Sequence, residues 1–75
     1  MGSGIPVNRV ELVYRREKAV LSTKELAELS GVALSTCYGI EAGYYERATP
    51  KTIRRLARVL RVKPDVLVDV RRPRI

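Results

Sequence analysis

The apolar positions of this 75-residue chain recur mostly at helical spacing, broken by caps, prolines and glycines that divide it into short helices. Asn8 can cap a first helix over 9–19, with Glu11 at a capping-box-like distance. Val10, Val13, Tyr14 and the neighbours of Glu17 supply its inward stripe. The connection AlaValLeuSer (19–22) leads to a second helix over 23–30. Ser22 is its cap, Glu25 at the third helical position completes a capping box, and Leu26, Ala27 and Leu29 are its apolar set. A third helix is predicted over 34–42, with Cys37, Ile40 and Leu34 inward and Gly43 ending it. After a loop at 44–48, Thr49 caps a fourth helix that has Pro50 at its first position and Ile53, Leu56, Ala57 and Leu60 facing the core. A fifth helix starts at Pro64, with Val62 as a staple and Val66 and Leu67 buried. The stretch 66–70 alternates enough to act as a strand instead. Pro73 argues against a helix in the tail at 71–75.

Residues 22–43 carry the most information. Two short helices meet at a glycine turn, with Ala27 four residues before Gly31, Val32 directly after it, and Cys37 and Ile40 three apart beyond. A steep helix crossing needs a small side chain such as Ala27, and the turn needs a residue that accepts positive φ, such as Gly31. This is the packing pattern of a helix-turn-helix. The chain resembles the Cro/repressor-type domains, also called the lambda-repressor-like or XRE family, from about Val10 to Val68. The resemblance rests on LeuSerThrLysGluLeuAla (21–27), GlyVal (31–32), SerThr (35–36), IleGlu (40–41) and Gly43. A second block, ThrProLysThrIleArgArgLeuAlaArgValLeuArgValLysProAspValLeu (49–67), resembles the fourth and fifth helices of that family. The implied fold is all-α, a five-helix lambda-repressor-like DNA-binding domain spanning 5–70, between MetGlySerGly (1–4), which reads as a cloning scar, and a basic tail. Against the commonest family pattern, the connection at 19–22 is one residue longer.

Length and charge narrow the function. One domain of this size buries about 60% of its unfolded surface, so stability rests on one core and on well-made helix ends. The net charge is +7, and its distribution is uneven. Up to Glu46 there are six acids against five bases; from Arg47 onward there are ten bases against Asp65 and Asp69. A basic half favours a polyanionic partner, although Arg-rich helices also serve simply as solvated surfaces. No apolar run approaches the roughly 20 residues of a membrane span. One cysteine and no histidine give neither a disulfide framework nor a zinc cluster, which points to a cytoplasmic protein without a cofactor. An enzyme is not expected: the lone Cys37 has no evident base, and neither paired carboxylates nor a phosphate-binding glycine loop is present. Cys37 reads as a small apolar filler where the family usually has isoleucine or valine.

The family resemblance implies double-stranded DNA as the partner, with the third helix in the major groove. By position it assigns base reading to Leu34, Ser35, Thr36, Tyr38 and Gly39, although Leu34 at a helix start also suits the core. It assigns phosphate contacts to Thr23 and Lys24 at the second helix and to Tyr44, Tyr45, Arg47, Lys51 and Thr52 around the fourth. Arg71, Arg72 and Arg74 could reach a minor groove. No small-molecule ligand is evident. The expected function is sequence-specific binding by a repressor-like transcriptional regulator acting as a homodimer, since one small module makes few contacts. The third helix departs from the family: it carries no Lys or Arg, has Gly39 in mid-helix and lacks a capping serine at Ala33. These departures keep open a protein-interaction or antitoxin-type module with weak base specificity. Glu41, frequent in the family, is expected to pair with a basic neighbour or brace the loop.

Overall fold

Helix boundaries follow the caps written in the sequence. In a computed structural model, which describes residues 4–69, the order is β1 (Ile5–Pro6), α1 (Arg9–Lys18), α2 (Thr23–Ser30), α3 (Leu34–Ala42), β2 (Arg47–Ala48), α4 (Pro50–Leu60) and a 3-10 turn at Pro64–Leu67. Ser22 and Glu25 form the reciprocal capping box: the Glu25 amide donates to Ser22 Oγ at 3.0 Å, and the Ser22 amide donates to Glu25 Oε1 at 2.8 Å. Asn8 accepts from the Glu11 amide at 3.1 Å, but the Glu11 carboxylate turns to Arg15 instead of closing a box. Thr49 accepts from the Thr52 amide, with Pro50 opening α4. Gly31 takes a φ of 75° and donates its amide to the Ala27 carbonyl, which ends α2 and lets the chain turn into α3.

The core gathers one side of every helix. Leu12, Leu26, Cys37, Ile40, Leu56 and Leu67 are almost wholly buried, and Ala27 is buried in the same core cluster. Three expectations about inward faces are corrected. Val10 and Tyr14 are exposed, and α1 turns Leu12 to the core. Leu29 is also exposed, because Leu26 and Ala27 already fill the inner side of α2. Leu34 stands 38% exposed instead of sealing the core.

The five-helix expectation is met only in part, by four α-helices and a small sheet. After Pro64 the chain makes one 3-10 turn and then extends, so that Val68 bridges Val7 in antiparallel fashion. The expected loop at 44–48 contains β2, which pairs antiparallel with β1. Residues 5–8 thus lie between two neighbours: the Val7 amide donates to Glu46 O, the Asn8 amide to Leu67 O, and Pro6 O accepts from the Asp69 amide. Pro6 lacks an amide hydrogen but still offers its carbonyl, so it is tolerated here. Val70 and the tail residues Arg71, Arg72 and Arg74 lie outside the described residues.

A polar node joins three helices inside this framework. Arg16 on α1 makes a two-pronged ion pair with Glu41 on α3, Nε to Oε2 at 2.8 Å and Nη2 to Oε1 at 3.1 Å. Thr23 at the start of α2 donates its hydroxyl to the same carboxylate at 3.1 Å, and Arg16 Nη1 donates to Leu21 O at 2.8 Å. The side chains of Arg16 and Glu41 are only 14% and 11% exposed. Among the described residues no buried side-chain nitrogen or oxygen lacks a hydrogen-bond partner.

The connection into α2 carries local strain. Val20 adopts a φ of 59° while 87% exposed. A β-branched residue in this region is unfavourable. The backbone is held there by hydrogen bonds donated by the Val20 amide to Glu17 O and by the Leu21 amide to Arg16 O.

Removing one partner of the Arg16–Glu41 pair should leave a buried charge uncompensated. Arg16→Met and Glu41→Leu alone should therefore each cost about 3 kcal/mol, and the two together should recover most of that loss. Urea unfolding of the two single variants and the double variant checks this; additive losses would show that the pair does not act as a unit. Val20→Gly should raise stability by up to about 1 kcal/mol, the relief of strain less the entropy glycine gives up. A lower urea midpoint for that variant would contradict the assignment of strain.

Candidate nucleic-acid interface

α3 is divided lengthwise. Cys37 and Ile40 are buried, while Leu34, Tyr38 and Ala42, spaced by four, form an outward row with Ser35 beside it. The expected base-facing residues Leu34, Ser35 and Tyr38 are thus brought onto one exposed face, with Tyr38 54% exposed. Thr36 is half-buried at its edge. Gly39 is buried, for a reason the sequence alone hides: a Cβ there would collide with the Tyr45 ring, which occupies that space. The amides of Tyr44 and Tyr45 both donate to Gly39 O, at 2.8 and 3.1 Å, so backbone and ring are held at the same residue.

α3 presents no net charge on its outward row. Its sole ionisable carboxylate, Glu41, is absorbed by Arg16 and Thr23. Burial pushes the Cys37 thiol above its ordinary value, and the Glu41 charge adds to this. The thiol is thereby held protonated, which suits a packing role at a site that is 1% exposed. Ala33 supplies no side-chain cap, and the first backbone bond of the helix is from the Cys37 amide to Ala33 O.

The residues expected to meet phosphate fall into two groups. Lys24, Tyr44, Arg47 and Lys51 are exposed, with Tyr44 at 84%. Arg47 also donates from Nη1 to Gly4 O at 3.1 Å, which fixes its stem over β1. Thr23 and Thr52 are placed differently from expectation. Thr23 is buried, and its hydroxyl is committed to Glu41. Thr52 is half-buried, and its hydroxyl accepts from Thr49 Oγ1 at 3.0 Å. Tyr45 is half exposed and lies against α3.

A basic stripe on α4 was not singled out from the sequence. Lys51, Arg54, Arg55 and Arg58 recur at three- and four-residue spacing on the face opposite Ile53, Leu56, Ala57 and Leu60, and all four are exposed. Among the described residues the salt bridges are Arg15–Glu11 at 2.6 Å and Arg16–Glu41 at 2.8 Å, so none of the α4 cations is neutralised by a carboxylate. Arg55 reaches from Nη1 to Gly31 O at 3.5 Å, which links this stripe to the α2–α3 turn. The helical spacing of the bases was the signal available; the absence of carboxylate partners becomes visible only in three dimensions.

Among the described residues there is no group of three or more His, Cys, Asp or Glu side chains placed to hold a metal, and no helix is long and apolar enough to cross a membrane. A search of curated proteins finds no match. A helix-turn-helix family model matches residues 12–67, a span that begins at the buried Leu12 and ends at the buried Leu67. With that match over most of the chain, and with α2, the Gly31 turn and α3 in the required order, the protein belongs to the Cro/C1-type (XRE) helix-turn-helix family of DNA-binding domains.

Proposed function

We infer that the chain is a sequence-specific, repressor-like transcriptional regulator that binds double-stranded DNA as a homodimer with α3 in the major groove. The observation that carries this reading is the outward row of α3, exposed along its length while Cys37 and Ile40 anchor the opposite side. A helix held in this way can enter a groove about 12 Å wide. Ser35 and Tyr38 supply hydroxyls, and Leu34 supplies an apolar surface, at the depth of the base edges. Lys24, Arg47 and Lys51, with the α4 arginines, which pair with no carboxylate among the described residues, supply the phosphate grip that fixes register. Two such modules related by a two-fold axis would place their helices in successive major grooves about 34 Å apart.

A second reading is a protein-interaction or antitoxin-type module that keeps the fold and reads bases weakly. It is favoured by the outward row of α3, which has no Arg, Lys, Asn or Gln for a bidentate base contact. Selection of sites from random duplexes, followed by salt titration, separates the two. The regulator should enrich a two-fold-symmetric site and bind it far more tightly than random DNA. Equal affinity for both would end the regulator reading.

Ser35→Ala with Tyr38→Ala should shift the selected site while circular dichroism keeps its native helical content; an unchanged site would mean that α3 is not the reader. Arg47→Gln with Lys51→Gln should weaken binding to all duplexes alike. The slope of log affinity against log salt should fall by about 2 per protomer, at about 0.9 per lost phosphate contact. A slope equal to the parent's would place the phosphate contacts elsewhere.

A further inference from the structure

The ring of Tyr45 occupies a place that the helical pattern of α3 reserves for a reading side chain. On a helix surface residue 39 neighbours residue 35, four before it, and residue 42, three after it. Ser35 and Ala42 are both exposed members of the outward face. Gly39 contributes no side chain to that face, and the Tyr45 ring fills the space a Cβ would take. The two hydrogen bonds donated by the Tyr44 and Tyr45 amides to Gly39 O hold the backbone that carries the ring in register with the helix. Tyr45 remains 51% exposed, so part of its ring reaches solvent over Gly39, which follows Tyr38 directly in α3.

The chemistry of this composite face is uniform. Leu34, Tyr38, Ala42 and the ring edge of Tyr45 present carbon to the groove, with single hydroxyls at Ser35, Tyr38 and Tyr45. Among base edges in the major groove, the group that carbon surfaces recognise is the thymine 5-methyl. A cytosine or guanine edge in the same place would lose water from its polar atoms without a bidentate partner. Exposed cations stand on the elements that flank α3 in the chain, Lys24 on α2, Arg47 on β2 and Lys51 on α4, so a phosphate-bounded groove is the occupant that matches both the apolar face and the cationic surface.

We propose that α3 and Tyr45 together read thymine-rich half-sites through the 5-methyl groups, with Tyr45 acting as a specificity-determining residue in place of a side chain at Gly39. This rests on the DNA-binding reading above and deepens it by naming the class of site. Tyr45 thereby belongs to base reading and not to phosphate contact.

The test uses the full chain and its best selected duplex, with deoxyuridine replacing thymine at one position at a time. That exchange removes the methyl and leaves the Watson–Crick edge unchanged. Affinity should fall about fourfold at each methyl in contact, as for one buried methylene-sized group. In Tyr45→Ala the sensitivity should vanish at one position per half-site, and in Leu34→Ala at a different one. Gly39→Ala should reproduce the Tyr45→Ala result by displacing the ring, while its helical content stays at or above the parent's. If a symmetric site is selected but uridine is tolerated at every position, the methyl-reading proposal falls while the regulator reading stands. If uridine sensitivity persists unchanged in Tyr45→Ala, Tyr45 is not a reader. If no duplex is preferred over random DNA, both fall together.

Discussion

The arrangement of the first three helices turns on one ion pair. Arg16 and Glu41 come from helices 25 residues apart and are almost fully withdrawn from water. Withdrawing two charges is costly, and their attraction offsets the cost only when geometry is good and the remaining polar atoms are satisfied. Here the guanidinium and carboxylate meet at two points, Thr23 gives the carboxylate a further donor, and Leu21 O takes the third guanidinium contact. Four pieces of chain meet at this node: α1, the connection after it, the start of α2 and the last turn of α3. It is directional in a way that leucine packing is not, so it fixes the rotation of α3 about its own axis. That rotation decides which residues point outward.

The same pair removes the one charge of α3 from its outward side. Glu41 repels no phosphate, because its charge is spent inside the protein. Affinity and specificity are thereby separated in space. The cations that would hold DNA lie on α4 and around the loop that leads to it, unpaired with any carboxylate among the described residues. The outward row that would choose a sequence carries hydroxyls and carbon only. In such a division the electrostatic contribution is large and shared by all duplexes, and discrimination rests on many small contacts. Duplicating the reader in a dimer is the simplest way to add those contacts up.

Much of the fold was legible because helix ends are local chemistry. Ser22 with Glu25, Gly31, Gly43 and Thr49 with Pro50 all sit where their side chains or backbone preferences place them; α2 and α3 have the expected limits and α4 the expected start. What was not legible depended on distant partners. Two-residue strands such as Ile5–Pro6 and Arg47–Ala48 are too short to show a period and exist because the chain ends are brought past each other. The inward face of α1 is not legible from its apolar stripe because a distant partner sets it; with Arg16 turned inward to Glu41, Leu12 shares its side and Val10 and Tyr14 are carried outward. The extra residue in the connection at 19–22 was visible as a length, but its consequence, Val20 at positive φ, was not. The helical spacing of Leu34, Ser35 and Tyr38 already puts them near one another on α3, and all three are exposed, whereas the commitment of Thr23 to Glu41 required the node to be seen.

Gly39 shows how a local weakness points to a site. Glycine within a helix costs up to about 1 kcal/mol relative to alanine, and nothing in α3 itself compensates for that. The compensation comes from outside the helix, through the Tyr45 ring that the missing Cβ admits and the two amides that Gly39 O caps. A loop that needed only to leave the helix could do so at Gly43 with any residue at 39. A loop that must lay an aromatic ring along α3 needs position 39 to be empty. The pairing of an unfavourable helical residue with an aromatic six positions later is therefore explained better by the placement of that ring than by the stability of the helix, and a chain selected for stability alone would have alanine there.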